Sequence, residues 1–240
     1  MTRVAIVTGG TRGIGAACSI ALKSAGYKVA ANYAGDESRA KDFTGVTGIP
    51  SYKFDVSNYE ACQAGIAKVV ADLGPVDILI NNAGITRDAT LKKQTFDQWQ
   101  SVISTNLGGC FNMSKAVWDG MIERGFGRIV NIGSVNGQAG QYGQVNYASA
   151  KSGIHGFTKA LAQEGATRGV TVNAIAPGYI DTEMVAAVPA NVLEKIIAKI
   201  PVGRLGHADE IARGVLFLVA DEASFITGST LSINGGQHMY

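Results

Sequence analysis

The sequence predicts an α/β fold with one doubly wound domain, in which helices cover both faces of a parallel sheet. The first observation is alternation, because short, almost wholly apolar segments take turns along the chain with longer segments of helical pattern. The second is length: 240 residues suffice for one sizeable core, and no linker or repeat divides them. In such a fold ligands bind beyond the carboxyl ends of the strands, where we expect the functional residues.

The amino-terminal half contains four predicted strands, each a short apolar run bounded by turn residues. They span residues 3–8, 28–33, 51–56 and 76–80. An Ala- and Leu-rich helix follows the first strand and ends at about Ala25, with Gly26 at its C-cap. Helices are also predicted over residues 58–73 and 95–123, whereas residues 35–42 form a polar, charged segment.

The carboxyl-terminal half continues this alternation. Its predicted strands span residues 128–132, 171–176 and 230–233. The first of them leads through Ser134 and a Gly- and Gln-rich loop into a helix that carries Tyr147 and Lys151. Residues 179–199 are less regular, and a short helix is predicted over residues 208–220. Residues 1–240 are therefore expected to form one domain.

Composition argues against several functional classes. Hydrophobic residues make up 46% of the chain and charged residues 17%, which is typical of a well-buried globular domain. The net charge is +2 and no basic run occurs, so no nucleic-acid partner is expected. No apolar stretch approaches the roughly 18 to 20 residues of a membrane span. Residues 1–10 resemble a strand that runs into glycines rather than a signal peptide, so we expect a cytoplasmic protein without a membrane partner.

The cysteines give no sign of a disulfide framework. Cys18, Cys62 and Cys110 are odd in number, widely spaced and placed in predicted helices. We expect them to be small core or interface residues in a reducing compartment rather than catalytic thiols. No metal is expected to bind.

A candidate proton-transfer site lies at the end of the fifth predicted strand. Tyr147 and Lys151 are four residues apart and so share one face of a helix, opposite Ser134. An ordinary Tyr has a pKa of about 10, roughly three units too high for easy proton exchange at neutral pH. A nearby lysine ammonium would lower that pKa. Taken alone, the pair is equally consistent with an exposed Tyr and Lys, because this spacing is common by chance.

A glycine-rich turn follows the first predicted strand and opens the first helix. Gly9, Gly13 and Gly15 form a G-x-x-x-G-x-G pattern, which leaves backbone amides at a helix N-terminus free to bind a pyrophosphate. The alternative is a tight connection without a ligand, which the strand–turn–helix context disfavours.

The choice between nicotinamide cofactors rests on the second strand. It ends with Asn32 and Tyr33, whereas NAD enzymes usually place a carboxylate there for the ribose hydroxyls. Arg12 and Arg39 flank this position and suit the 2′-phosphate of NADPH, although Arg39 is nearly as consistent with a solvated helix residue. Asp55 is either an acceptor for the adenine amino group or a helix N-cap.

Together these residues resemble the short-chain dehydrogenase/reductase family. The motifs are Thr8-Gly9-x-x-x-Gly13-Ile14-Gly15, Asn81-Asn82-Ala83-Gly84, Asn106, Ser134, Tyr147-x-x-x-Lys151 and Pro177-Gly178, and they cover the whole chain in order. The resemblance implies a Rossmann-type fold with a seven-stranded parallel sheet and a nicotinamide cofactor. It also implies a homotetramer with the helices around Asn106 and Tyr147 at one interface. The gap of four residues between Tyr147 and Lys151 argues against the enoyl-reductase branch, which uses a wider gap.

The resemblance also implies roles for single residues. Tyr147 would be the general acid toward a ketone oxygen, and Ser134 would hold that oxygen. Lys151 would bind the nicotinamide ribose and lower the pKa of Tyr147, and Asn106 would steady a water in the proton relay. The implied cofactor contacts are Gly9, Thr11, Arg12, Gly13, Ile14, Gly15, Tyr33, Arg39, Asp55, Val56, Asn82, Ala83, Gly84, Ile85, Tyr147, Lys151, Pro177, Gly178 and Ile180.

Further segments resemble one branch of that family, the acetoacetyl-CoA reductases of polyhydroxybutyrate synthesis. They are residues 82–88, 134–138, 141–147 and 235–239. The likeness implies NADPH-dependent reduction of an acyl-CoA thioester, acetoacetyl-CoA, to (R)-3-hydroxybutyryl-CoA, with residues 179–200 as a substrate lid. The implied substrate contacts are Asp88, Lys93, Ser134, Gln141, Tyr142, Gln144, Tyr147, Gly178 and Tyr179. Gly133, where many members carry Ser, and Tyr142, where this branch carries Phe, depart from the pattern.

Three alternatives stay open at this point. The chain is also similar to 3-oxoacyl-[acyl-carrier-protein] reductases of fatty-acid synthesis. The Gln141 and Gln144 pair is also consistent with a polar loop without a ligand. A cofactor-sensing protein without chemistry is a third possibility, against which the intact set of four residues speaks.

Overall fold

The structure is a computed structural model that describes residues 2–186 and 190–239, and it confirms the predicted fold class. Its strands are β1 (Val4–Val7), β2 (Lys28–Tyr33), β3 (Ser51–Lys53), β4 (Val76–Asn81), β5 (Gly127–Ile132), β6 (Val170–Pro177) and β7 (Thr230–Ile233). These seven strands of the described chain form one parallel sheet in the order β3-β2-β1-β4-β5-β6-β7. The chain winds outward in both directions from β1 and β4, so a crevice opens at their carboxyl ends.

Two layers of helices enclose the sheet. The helices are α1 (Gly13–Ser24), α2 (Glu37–Thr47), α3 (Tyr59–Leu73), α4 (Phe96–Ile103), α5 (Gly109–Arg124), α6 (Val135–Ala139), α7 (Val145–Gly165), α8 (Glu183–Ala186), α9 (Ala190–Ile197) and α10 (Ala208–Val219). On one face α1 and α10 pack side chains such as Leu22 and Ile211 against β1, β4 and β5. On the other face α3 and α5 do the same with Ile66 and Met113. Burying each of these side chains stabilises the fold by about 1.5–3 kcal/mol.

The polar, charged segment between the second and third strands is helical. Asp36 is the N-cap of α2, and its carboxylate accepts a hydrogen bond from Arg39 N at 2.9 Å. Gly48 ends the helix in the left-handed conformation, with φ of 65°. Ala40 is the one buried residue among the eleven of this helix. The hydrophobic periodicity that predicts a helix is therefore almost absent here.

Three further segments differ from prediction by more than a residue or two at an end. The third strand ends at Lys53, not at residue 56. The long helix predicted over residues 95–123 is interrupted by a π-helical turn, Ser104–Gly108, which contains Asn106. The loop after Ser134 begins with the short helix α6, whose first turn Ser134 caps by accepting a hydrogen bond from Asn136 N at 3.1 Å.

The predicted lid is anchored by backbone contacts at both ends. Ile180 bridges to Gly206, and Val202 N donates to Gly235 O at 3.1 Å. Between these anchors the chain forms α8 and α9, and residues 187–189 of the predicted lid lie outside the described residues. Among the described helices, none is both long enough and apolar enough to cross a membrane.

Candidate active site

The glycine-rich turn forms a cradle of bare backbone above β1. Gly9 and Gly13 have φ of 60° and 50°, which other residues rarely adopt. A Cβ at Gly15 would lie 2.1 Å from Gly9 O, so the turn closes only with glycine there. Arg12, the N-cap of α1, makes no side-chain hydrogen bond to the first amides of that helix. The cradle therefore fits a pyrophosphate, with free amides and the positive end of the helix directed at it.

Thr8 holds the loop that follows β4, residues 82–85, beside this cradle. Its hydroxyl oxygen accepts hydrogen bonds from Asn82 N and Ala83 N, both at 2.9 Å. The Asn82 side-chain amide donates to Thr8 O at 2.9 Å. The predicted contacts Asn82 and Ala83 and the predicted Gly9 are thus brought together at the ends of β1 and β4.

The adenosine end differs from expectation at one residue. Asn32 is buried, its amide donates to Phe54 O at 2.8 Å, and its side-chain oxygen accepts from Gly9 N at 3.4 Å. Its side chain therefore ties the glycine turn to the third strand and does not face the crevice as a ribose contact. The sequence offered Asn32 and Tyr33 as ribose contacts, and only Tyr33, which is partly exposed, is available to contact a ribose.

Two arginines lie near this end, as the sequence predicts. Arg12 is exposed, and its guanidinium has no hydrogen-bond partner within the described ranges. Arg39 lies in the first turn of α2 and bonds Glu183 at 2.5 Å. It is therefore not the freely solvated helix residue that the sequence allowed.

Asp55 is not the N-cap of α3. Asn58 has that role, because its side chain accepts from Ala61 N at 2.8 Å. The Asp55 carboxylate is exposed and accepts from Ser57 N at 2.8 Å. The buried Val56 beside it accepts a hydrogen bond from Asn112 through its carbonyl oxygen at 2.9 Å. Asp55 keeps free acceptor capacity for an adenine amino group.

Tyr147 lies at the carboxyl end of β5, close to Ser134. Burial of the phenol raises the pKa of Tyr147 to about 12, and the hydrogen bond with Ser134 only partly offsets this. The charges of Asp88 and Tyr179 raise this pKa further. The loss of water around the phenolate dominates this shift and Lys151 is not among its causes, so the lowering of the Tyr147 pKa by Lys151 stays a prediction.

Lys151 lies over the Tyr147 ring and makes its hydrogen bond to the backbone. Its Nζ lies 5.7 Å from the centre of the Tyr147 ring and donates to Ile132 O at 2.7 Å. The side chain is buried, and burial lowers the pKa of Lys151 to about 8. Lys151 therefore gains and loses its proton near neutral pH, as a proton relay requires.

The side chain of Asn106 is hydrogen-bonded to the loop that follows β4, residues 82–85. Its amide donates to Ile85 O at 3.0 Å, and its side-chain oxygen accepts from Ile85 N at 2.8 Å. Cys110 donates to the main-chain oxygen of Asn106 at 3.2 Å. A Cβ at Gly84 would lie 3.3 Å from Asn106 Oδ1 and 3.6 Å from Lys151 Nζ, so these residues meet. Any water in a relay would be held by the main-chain oxygen of Asn106, since both polar atoms of its side chain are used.

Hydrogen bonds join several of the residues that are predicted to bind the substrate. Gln144 donates to Asp88 at 2.8 Å, and its side-chain oxygen accepts from Asn136 at 2.9 Å. Ala89 N donates to Gly143 O at 2.9 Å, which joins the loop after β4 to the loop before α7. Both polar atoms of the Gln144 side chain are therefore hydrogen-bonded, and these bonds hold the loop in place.

The remaining predicted substrate residues surround this network. Lys93, Gln141 and Tyr142 are exposed, and Tyr142 keeps 86% of its surface accessible. Gly178 N donates to Ile233 O at 2.9 Å, and Tyr179 O accepts from Gly206 N at 2.9 Å. These backbone bonds place the start of the lid next to Tyr147, whose pKa the Tyr179 phenol affects.

Comparisons with known proteins agree with this geometry. A family model described as Enoyl-(Acyl carrier protein) reductase matches residues 9–238. The acetoacetyl-CoA reductases of Shinella zoogloeoides and Rhizobium meliloti (strain 1021) are 69% and 68% identical, each over 99% of both chains. The 3-oxoacyl-[acyl-carrier-protein] reductase FabG of Salmonella typhimurium is 46% identical over 99% of this chain and 98% of its own.

The chain belongs to the short-chain dehydrogenase/reductase family. The predicted family is thereby confirmed, and the protein is an oxidoreductase of a family that uses a nicotinamide cofactor. The glycine cradle fits such a cofactor, because a side chain at Gly15 would clash with Gly9 O and because Gly9 and Gly13 have the positive φ that glycine favours.

One departure from the usual pattern of short-chain dehydrogenase/reductases has a structural cause. A Cβ at Gly133 would lie 3.2 Å from both His155 Cε1 and Ile175 O. His155 projects from α7 one turn beyond Lys151 and is within hydrogen-bond distance of Thr230, at 3.1 Å. The space that a serine at position 133 would need is therefore filled by the His155 ring.

Sequence reasoning missed two residues of this short-chain dehydrogenase/reductase site. Asn136 links Ser134 to Gln144, and its place two residues after Ser134 was the available signal. Glu183 pairs with Arg39 across 144 positions of sequence, for which the sequence holds no signal.

Proposed function

We propose that this protein reduces acetoacetyl-CoA to (R)-3-hydroxybutyryl-CoA with NADPH. The observation that supports this most is that Tyr147, Ser134 and Lys151 lie together at the carboxyl end of β5. The Tyr147 phenol is protonated at neutral pH. Full-length relatives named acetoacetyl-CoA reductase, at 61–69% identity, support this choice of substrate. The R configuration is taken from the resemblance to that branch.

When bound, NADPH supplies a hydride to the ketone carbon. Tyr147 donates its phenolic proton to the ketone oxygen, so that the carbonyl becomes a hydroxyl and the charges balance. The raised pKa of Tyr147 keeps the phenol protonated at neutral pH, so the proton to be donated is present. Ser134, which already bonds the phenol, holds the same oxygen. General acid catalysis of this kind contributes roughly 10²- to 10⁴-fold.

The buried Lys151 restores the proton. Its pKa of about 8 lets it release a proton at neutral pH at little cost, and Asn106 presents a main-chain oxygen nearby. A water held between them connects the ammonium to the phenolate that each turnover leaves behind. Among the described residues the hydrogen bond of Lys151 Nζ goes to Ile132 O and not to the phenol, so we assign this step to a bridging molecule.

NADPH is proposed over NADH because two arginines lie near the adenosine end. Arg12 and Arg39 flank it, and the second strand ends without a carboxylate. Hydrogen bonds to charged groups contribute roughly 1.5 to 3 kcal/mol each. One well-placed Arg therefore favours NADPH by about tenfold or more.

The acyl-CoA substrate is proposed to enter along Asp88, Gln144 and Tyr142, under a lid formed by residues 179–200. Amide and carboxylate groups of the network suit the thioester and pantetheine, and Lys93 lies exposed at the edge of this loop for the CoA phosphates. A carrier-protein thioester is the alternative, supported by the 46% identical relative named as such a reductase.

A cytoplasmic homotetramer completes the proposal. The three cysteines of the described residues are buried free thiols, which suits a reducing compartment. Phe111 on α5 and Val145 on α7 leave 54% and 41% of their surfaces exposed, near the helices expected at one subunit interface. Light scattering on the purified chain measures the assembly directly.

The decisive experiment compares two thioesters at equal concentration. Acetoacetyl-CoA and acetoacetyl-carrier protein are each offered with NADPH and with NADH, and cofactor oxidation is followed by absorbance. We expect the highest kcat/KM with acetoacetyl-CoA and NADPH. A clear preference for the carrier protein assigns the chain to fatty-acid synthesis instead, and similar kcat/KM with both cofactors refutes the assignment of NADPH. Tyr147→Phe is the control for non-enzymatic oxidation.

A further inference from the structure

Glu183 occupies a special place in the lid. Both ends of the lid are held by backbone contacts, from Ile180 to Gly206 and from Val202 to Gly235. Between these anchors, Glu183 makes the one ion pair to another part of the chain that the described residues of the lid contain. Its Oε2 accepts from Arg39 Nη1 at 2.5 Å. The partner is therefore the arginine that the proposed function assigns to the 2′-phosphate.

The neighbours of Glu183 place this pair over the cofactor cradle. Thr182, the preceding residue, lies 3.6 Å through its Cγ2 atom from the position of a Cβ on Gly13. Gly13 is the first residue of α1 and part of the glycine turn. The Arg39 guanidinium reaches Glu183, the residue after Thr182, from α2. The ion pair thus lies between the start of the lid and the adenosine end of the crevice.

We propose that Glu183 competes with the 2′-phosphate of NADPH for Arg39 and so lowers the affinity for NADPH. This inference rests on the proposed use of NADPH. Without cofactor, Arg39 is paired with Glu183. The 2′-phosphate brings more negative charge than a carboxylate and three acceptor oxygens, and it displaces Glu183.

The exposure of the pair makes the exchange easy. The Arg39 and Glu183 side chains keep 36% and 63% of their surfaces accessible, so water screens their attraction. Asp36 is the second acid at Arg39, with Oδ2 3.8 Å from Nε, and it also caps α2. Asp36 therefore keeps the guanidinium near the crevice while Glu183 leaves. NADH, which lacks the 2′-phosphate, leaves the pair intact.

The test measures cofactor binding without substrate. Dissociation constants for NADPH and NADH are obtained from cofactor fluorescence for the wild type, Glu183→Gln, Arg39→Gln and the double variant. Glu194→Gln is the matched control, because Glu194 is an exposed acid of α9 without an ion pair to the described residues. We expect Glu183→Gln to tighten NADPH binding about two- to fivefold, the range that an exposed ion pair allows. NADH binding and the Glu194→Gln variant should not change.

Three results overturn the inference. They are an unchanged NADPH constant in Glu183→Gln, an equal change for both cofactors, and a Glu183→Gln effect that persists when Arg39 is already Gln. If Arg39→Gln weakens NADPH selectively while Glu183→Gln does nothing, the proposed cofactor stands and only the competition fails. If Arg39→Gln affects both cofactors alike, the assignment of Arg39 to the 2′-phosphate fails and the competition fails with it.

Discussion

Replacing Lys151 by Met is expected to stabilise the fold while it removes activity. Burial lowers the pKa of Lys151 from 10.5 to about 8. This difference, at about 1.4 kcal/mol per pKa unit, means that the buried charge weakens the folded state by about 3 kcal/mol at neutral pH. Met has a similar length but loses the hydrogen bond from Nζ to Ile132 O, which costs about 1 kcal/mol. The net gain in the free energy of unfolding is about 2 kcal/mol.

The pH dependence has a definite sign. The pKa of Lys151 in the folded state, about 8, is below its unfolded value of 10.5, so the unfolded chain binds more protons between these two pH values. Stability contributed by this group therefore rises with pH across that window and is constant below it. The advantage of Lys151→Met over the wild type should be full at pH 7 and should shrink as pH approaches 10.

Urea unfolding of both proteins at a fixed protein concentration, from pH 7 to pH 10, measures this difference. Taking the difference between the two proteins removes the titration of every other group. Lys159→Met, an exposed lysine on the same helix, is the control and should change little at any pH. A Lys151→Met variant that is less stable than the wild type at pH 7, or an advantage that does not depend on pH, would refute the reasoning.

Three further outcomes are expected. Tyr147→Phe should lower kcat by about 10²- to 10⁴-fold while the NADPH dissociation constant stays the same, and a rate above a tenth of wild type points to another acid. The rate of ketone reduction should fall above about pH 8 as Lys151 loses its proton, whereas a profile that stays flat to pH 10 removes Lys151 from the relay. Gln144→Ala should raise KM for acetoacetyl-CoA about fivefold with NADPH binding unchanged, since it frees Asp88 and Asn136, and a change in NADPH binding alone would contradict this placement.

The strands were the most predictable elements, because a strand buried on both faces needs an apolar run and little else. The second and seventh strands have the bounds that the sequence predicts, residues 28–33 and 230–233. Helix α2 was not predicted because it buries only Ala40, so it has almost no hydrophobic periodicity. The π-helical turn around Asn106 was not predicted because one extra residue in a helical turn hardly changes the hydrophobic pattern. The glycine turn and the Tyr147 and Lys151 spacing are local patterns, so the sequence sufficed for them.

The sequence by itself determined the fold class, the order of the motifs and the residues that meet at the carboxyl ends of the strands. It could not determine their electrostatics. The pKa of Tyr147 rises and that of Lys151 falls because burial removes water from both groups, and burial is a property of the packed chain. Asn32 faces inward, Gln144 is engaged at both ends, and Arg39 reaches Glu183, since each contact joins segments that only folding brings together. Local spacing determines which residues share an element, and tertiary packing decides which atoms they contact.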